Sequence, residues 1–227
     1  NRRMPHGLRR AIQVASCAAL LRAITTPLGA AFDLTKGRPP AVLDARVGPN
    51  IRLGDDSPLL PEGLPGQAEP HIVRSVANPD VLLATFQDGR HPDAGAVTCG
   101  YAISHDGGLT WRRSLVPNLT TINGGRFNRA TDPVAGAGPQ GDLYLQSLAS
   151  VQGIFALSAI VVSRSTDNGA TWSAPATVFA ATPSSPAPDK NWLAVNDHAA
   201  TATSGRLVTT WTGFVRNAAG IVTSSHL

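Results

Sequence analysis

Three acidic residues precede apolar runs at similar intervals: Glu69 ahead of Pro70-His71-Ile72-Val73, Asp132 ahead of Pro133-Val134-Ala135, and Asp189 ahead of Lys190-Asn191-Trp192-Leu193. Carboxylates gathered at one rim suit sugar hydroxyls or a cation better than another carboxylate, because like charges repel strongly in a pocket of low dielectric. Lys190, Arg90, Arg126 and Arg129 are the basic residues expected to join them, so Glu69, Arg90, Arg129, Asp132, Asp189 and Lys190 form the candidate binding set. A plainer reading stands beside this one. An acid before proline also shapes the turn into a strand.

The elements that would carry these residues repeat. Ser104-His105-Asp106-Gly107-Gly108-Leu109-Thr110-Trp111 returns as Ser165-Thr166-Asp167-Asn168-Gly169-Ala170-Thr171-Trp172. Each copy follows an apolar run and leads into a second extended run, which predicts a hairpin turn. Asp106 and Asp167 can accept turn N–H groups, Gly108 and Gly169 can take positive φ, and the tryptophan covers the turn from below. From the leading acid to the box aspartate is 37 residues in the first unit and 35 in the second. Each unit offers a first strand after the acid, a turn, a second strand (Val81 to Phe86, Leu143 to Leu148, Leu207 to Trp211), a third strand and the hairpin. Four strands per unit is the blade of a propeller. Blades are expected at 69–131, 132–188 and 189–227, the last incomplete. Its own box aspartate is expected near about position 231 by the same spacing, so the chain reads as a fragment with two whole blades and part of a third.

Both copies match the Asp-box, or bacterial neuraminidase repeat, at Ser104, Asp106, Gly108, Thr110 and Trp111 and at Ser165, Asp167, Gly169, Thr171 and Trp172. The chain therefore resembles the sialidase superfamily of β-propellers. The resemblance implies an all-β, six-bladed fold in which the boxes are structural fasteners away from the substrate. Asp boxes also occur in propellers with other glycosidase activities, in sorting receptors and in assembly factors. Asp88-Gly89-Arg90 is similar to a sialidase segment that precedes the acid/base aspartate, and by position Asp93 matches that residue. A loop carboxyl serves as a general acid where burial raises its pKa. The resemblance breaks at the Arg-Ile-Pro motif, whose substrate-gripping arginine falls here on Pro70 or His71. Arg74 does not take its place. Neither Tyr101 nor Tyr144 fits the family's tyrosine nucleophile, which belongs with its glutamate to later blades.

The first thirty-one residues read as a signal peptide-like leader, with Arg2, Arg3, Arg9 and Arg10 ahead of the run Ala11 to Leu21 and small residues after Pro27. Arg22 interrupts the pattern. Five arginines and no acid fall within 1–31, so the net charge of +4 becomes −1 without them. The basic character thus belongs to the leader, and no Lys/Arg cluster with interleaved aromatics points to nucleic acid. Residues 32–68 read as a Pro/Gly-rich linker or N-terminal wrap. Cys99 stands alone beyond the leader, which leaves no disulfide there and favours a small core residue. No later segment is long and apolar enough for a membrane helix.

These readings combine into an exported protein, secreted, periplasmic or cell-surface. The leading function is an exo-α-sialidase-type glycoside hydrolase acting on terminal sugars of extracellular glycans, with Asp93 as candidate acid/base. The alternative is a non-catalytic Asp-box propeller that binds glycan or protein through its rim. The sequence calls for no cofactor and no dedicated metal site, leaves room for calcium, and is silent on oligomeric state.

Overall fold

Alternating and near-continuous apolar runs, bounded by Gly, Pro, Asn and Asp, become eleven antiparallel strands. The computed structural model describes residues 48–61, 64–152, 156–217 and 219–226. The leader and residues 32–47 of the linker lie outside them. The strands are β1 (Gln67–Arg74), β2 (Leu82–Arg90), β3 (Ala96–Ser104), β4 (Arg112–Leu115), β5 (Arg129–Ala137), β6 (Leu143–Gln152), β7 (Ala156–Ser165), β8 (Ala176–Ala180), β9 (Ala187–Val195), β10 (Leu207–Arg216) and β11 (Val222–His226). The described residues contain no α-helix, only a single turn of 3-10 helix at Thr121–Asn123. No helix among them is long and apolar enough to cross a membrane.

Pairing is sequential within three meanders: β1-β2-β3-β4, β5-β6-β7-β8 and β9-β10-β11. A single residue pair, Ala96 with Ala130, links the first meander to the second. The fold is all-β, with two four-stranded blade units and a third of three described strands, the architecture of a β-propeller. β1, β5 and β9 are the first strands of their units and lie side by side.

The core sits between successive blades. Leu83, Cys99, Tyr101 and Ile103 of the first pack on Ala130, Leu143, Leu145 and Val161 of the second. Val134 and Tyr144 of the second meet Leu193 of the third. Each large side chain buried this way contributes about 1.5–3 kcal/mol. Small residues on β5 permit the close approach: a Cβ on Gly136 would lie 2.9 Å from Val195 Cγ2 and 3.0 Å from Leu193 Cδ2. Ahead of β1, the chain from Ile51 folds back over the first blade, where Gly66 O accepts the Gly89 N–H at 3.1 Å.

Register fixes which features share an end. Leu82 pairs with Ser104, whereas Gln67 pairs with Asp88 and Arg90 with Ala96. The box turns therefore hang at the end where β2 begins, and Glu69 stands at the other.

Candidate functional site

The site begins with a backbone irregularity that occurs three times. Between Ala68 and His71, between Thr131 and Val134, and between Asp189 and Trp192, the first strand of each blade carries one more residue than its partner. In every case the first inserted residue is non-glycine with positive φ: Glu69 at 51°, Asp132 at 47° and Lys190 at 43°. A left-handed conformation at such residues costs on the order of 1–3 kcal/mol each and persists only where surrounding contacts impose it. The bulges correct the sequence alignment. Lys190, not Asp189, is the structural counterpart of Glu69 and Asp132; Asp189 stands one residue earlier, in register with Thr212.

The two acidic bulge side chains each reach the next bulge. Glu69 Oε2 accepts the Asp132 N–H at 3.3 Å, and Asp132 Oδ2 accepts the Lys190 N–H at 3.2 Å. Asp189 Oδ1 accepts the same Lys190 N–H at 2.8 Å, so the three carboxylates do share one rim. Gln87 Nε2 donates to Glu69 Oε2 at 2.8 Å and to Thr131 Oγ1 at 2.5 Å. Asn191 Nδ2 donates to the Asp132 carbonyl at 3.1 Å. The Asp132 carboxyl is buried, and Lys190 Nζ stands 3.8 Å from its Oδ1. Burial raises the Asp132 pKa, and the hydrogen-bonded Glu69 carboxyl raises it further, against the pull of Lys190. Burial beside a second acid favours the protonated form of Asp132 over that of an isolated aspartate.

Two residues past the bulge, His71 and Trp192 occupy matching positions on their blades and meet edge to face, with centroids 4.9 Å apart and planes at 76°. His71 Nδ1 accepts the Ala135 N–H at 3.1 Å, which makes the imidazole neutral with its proton on Nε2. Burial, and then Lys190, lower its pKa. Trp192 nevertheless keeps 47% of its surface exposed.

The other basic candidates are placed differently. Arg129 Nη1 donates to Asp93 Oδ1 at 2.8 Å and to Ala94 O at 3.1 Å. Arg90 is exposed at the end of β2, three residues beyond Gln87. Arg126 turns to Thr177 Oγ1 at 2.9 Å and covers the Phe127 ring. Asp93 lies in the β2–β3 turn, at the same end as the rim but 65% exposed. Its pKa is lowered, first by the Arg129 hydrogen bond. A general acid needs the opposite, and the burial expected for Asp93 is found at Asp132 instead. Asp88, two residues past the expected end of the second strand at Phe86, remains in β2, fully buried and ion-paired with Arg113.

At the opposite end the two boxes form matching networks. Ser104 Oγ donates to Asp106 Oδ1 at 2.7 Å and accepts the Gly108 N–H at 2.8 Å; Thr110 gives its N–H to Oδ1 at 2.9 Å and its hydroxyl to Oδ2 at 2.5 Å. The contacts of Ser165, Asp167, Gly169 and Thr171 have the same four distances. These bonds hold both aspartates down at about 2. Trp111 Nε1 donates to Gly108 O at 3.0 Å, and Trp172 packs edge-on against Tyr101. His105 and Arg112 of the first hairpin contact the carbonyls of Asn168 and Gly169 in the second.

Cys99 is buried, and burial pushes its thiol up to about 12, so it is no nucleophile at neutral pH. Tyr101 and Tyr144 are buried between blades. Among the described residues no three His, Cys, Asp or Glu side chains are placed to hold a metal ion. Sequence reasoning overlooked His71 and Trp192 as a pair. The signal was present: counting back two residues from His71, Val134 and Trp192 gives Glu69, Asp132 and Lys190.

No family model matches the sequence, and no curated protein matches it either. Solved structures do. An α-L-arabinanase from Penicillium chrysogenum complexed with arabinobiose aligns at 24% identity over 66% of this chain and 44% of its own, with a TM-score of 0.43. An α-L-arabinofuranosidase from Fusarium graminearum aligns at 18% over 70% of this chain and 43% of its own, with a TM-score of 0.45. A Hadza microbial sialidase aligns at 18% over 48% of this chain and 25% of its own, with a TM-score of 0.39. The chain spans less than half the length of each of these structures.

Proposed function

We propose that the protein is a glycoside hydrolase of the exo-acting, sialidase-like propeller type, exported to act on terminal sugars of extracellular glycans. The observation that carries this reading is the buried Asp132 carboxyl, set between Glu69 and the Lys190 N–H, where burial raises its pKa. Asp132 donates its proton to the leaving-group oxygen as the glycosidic bond breaks. The Glu69 carboxylate then stabilises the positive charge that develops on the ring. Glu69 and Asp132 are too close to flank a glycosidic bond, which requires carboxyls about 5–9.5 Å apart. They act together, and Asp189, whose Oδ1 accepts the same Lys190 N–H as Asp132 Oδ2, is the further carboxylate of the rim that assists turnover.

Hydrolysis of aryl glycosides by the protein tests the reading, with a sialoside, an arabinofuranoside and a galactoside in the panel beside Asp132→Asn and Asp189→Asn. Turnover of any member that both variants abolish is expected. Turnover that persists in Asp132→Asn would overturn the assignment of the acid. One observation favours a second reading: Lys190 Nζ at 3.8 Å from Asp132 Oδ1 suits an ionised carboxylate. A rim of that kind binds a glycan or protein without turnover, and a folded protein silent across the whole panel would select it.

A further inference from the structure

Trp192 combines two properties that rarely coincide, a large exposed apolar face and a fixed orientation. Its ring abuts His71 at 4.9 Å, and His71 is itself anchored by the Ala135 N–H at 3.1 Å. The backbone beneath is held by the Thr209 hydroxyl, which donates to the Trp192 carbonyl at 3.0 Å. A ring already locked in place loses little side-chain freedom when a ligand covers it. It lies two residues past the Lys190 bulge, farther along β9 from the rim end than the carboxylates. An exposed aromatic face near hydrogen-bond acceptors suits the C–H face and the hydroxyls of a sugar ring.

The charges around that face select among sugars. Glu69, Asp132 and Asp189 stand at the rim end of the same strands, and burial favours the protonated form of Asp132 alone. Lys190 is paired with Asp132 and Arg129 with Asp93, while Arg90 lies at the outer end of β2. A ligand carboxylate entering here meets net negative charge. Neutral hydroxyls meet acceptors they can satisfy.

We infer that the ligand of this rim is a neutral sugar seated on the Trp192 indole, and that sugars bearing a carboxylate are rejected. The inference rests on the reading of the rim as a sugar site and narrows its ligand class.

Ligand-observed NMR at pH 7 tests it on the protein, using methyl β-D-galactopyranoside, methyl α-L-arabinofuranoside and the methyl α-glycoside of N-acetylneuraminic acid. A neutral glycoside is expected to bind about tenfold or more tightly than the sialoside, and Trp192→Ala to weaken it about tenfold. Equal or tighter binding of the sialoside overturns the inference, as does the absence of binding by either neutral glycoside, or unchanged affinity in a folded Trp192→Ala protein. The wild-type preference decides the question even where the variant does not fold. Failure of the two readings is distinguishable by turnover in the same samples. Neutral binding without hydrolysis removes the hydrolase and keeps this inference, whereas sialoside hydrolysis lost in Asp132→Asn keeps the hydrolase and removes it.

Discussion

Aspartates at the two ends of the same blades have been given opposite chemistry. Asp106 and Asp167 stand in exposed turns, yet each is surrounded by hydroxyl and N–H donors that favour the ionised form. Asp132 is itself buried, within a rim where its neighbour Glu69 is another acid. Exposure alone would rank these sites correctly for the wrong reason. What separates them is the number of donors aimed at the charge, and the comparison teaches that an acid's neighbours decide whether it fastens a turn or holds a proton.

The comparison breaks most visibly in turnover. Asp132→Asn is expected to lower hydrolysis by about 10²–10⁴-fold, the ordinary worth of a positioned general acid, while Asp106→Asn leaves it unchanged in protein that remains folded; initial rates on the substrate found by the glycoside panel check both. In stability, the largest effect is expected from neither. Asp88→Ala leaves the Arg113 guanidinium buried without its counter-ion and should cost about 3–5 kcal/mol in urea unfolding. The box end is also sterically tight. Gly169→Ala would put a Cβ 2.3 Å from Ile103 Cδ1 at a φ of 77°, for a loss of about 2–4 kcal/mol. Gly205→Ala, at φ 73° but with nothing within 4 Å, should lose only about 1–2 kcal/mol. Equal losses at the two glycines would show that the second box is not pinned by its neighbour.

The smallest effects lie in the pH dependence of the melting temperature, and their signs are opposed. The box aspartates titrate at about 2 in the folded chain against an ordinary 3.8, so their stabilisation is present above 3.8 and is lost as pH falls towards 2. Asp132 is raised, so its contribution is present below 3.8 and is lost as pH rises through its folded value. Asp167→Asn should flatten the acid limb alone, and Asp132→Asn the limb above pH 4. An acid limb unmoved by Asp167→Asn would remove the box from this account.

Much of the fold could be read from residues. The boxes announced hairpins because Ser-x-Asp-x-Gly-x-Thr-Trp has so few ways of satisfying its own donors and acceptors. The second strands were placed correctly and came out longer, since β2 continues through Asp88 and Gly89 to Arg90. That continuation was illegible because Asp88 is tolerated in a strand only through Arg113, a partner from β4. The rim was half legible. Recurrence brought Glu69 and Asp132 together, but a bulge shifts the register by one residue, and an acid at 189 beside a lysine at 190 disguises which of them occupies it. Asp93 was put forward by resemblance to the segment before it, whereas its charge state is set by Arg129, 36 residues away.

The first strand of a blade has a free side, and a row of unpaired N–H groups there invites another chain to add a strand. Here three of those groups are taken by side chains from elsewhere in the rim: Asp132 N–H by Glu69, Lys190 N–H by Asp132 and Asp189, and Ala135 N–H by His71. The acids and the imidazole thus act as a stand-in for a missing strand, one that cannot propagate. Residues proposed for recognition also satisfy the backbone of the inner strands, so the same handful of atoms serves both.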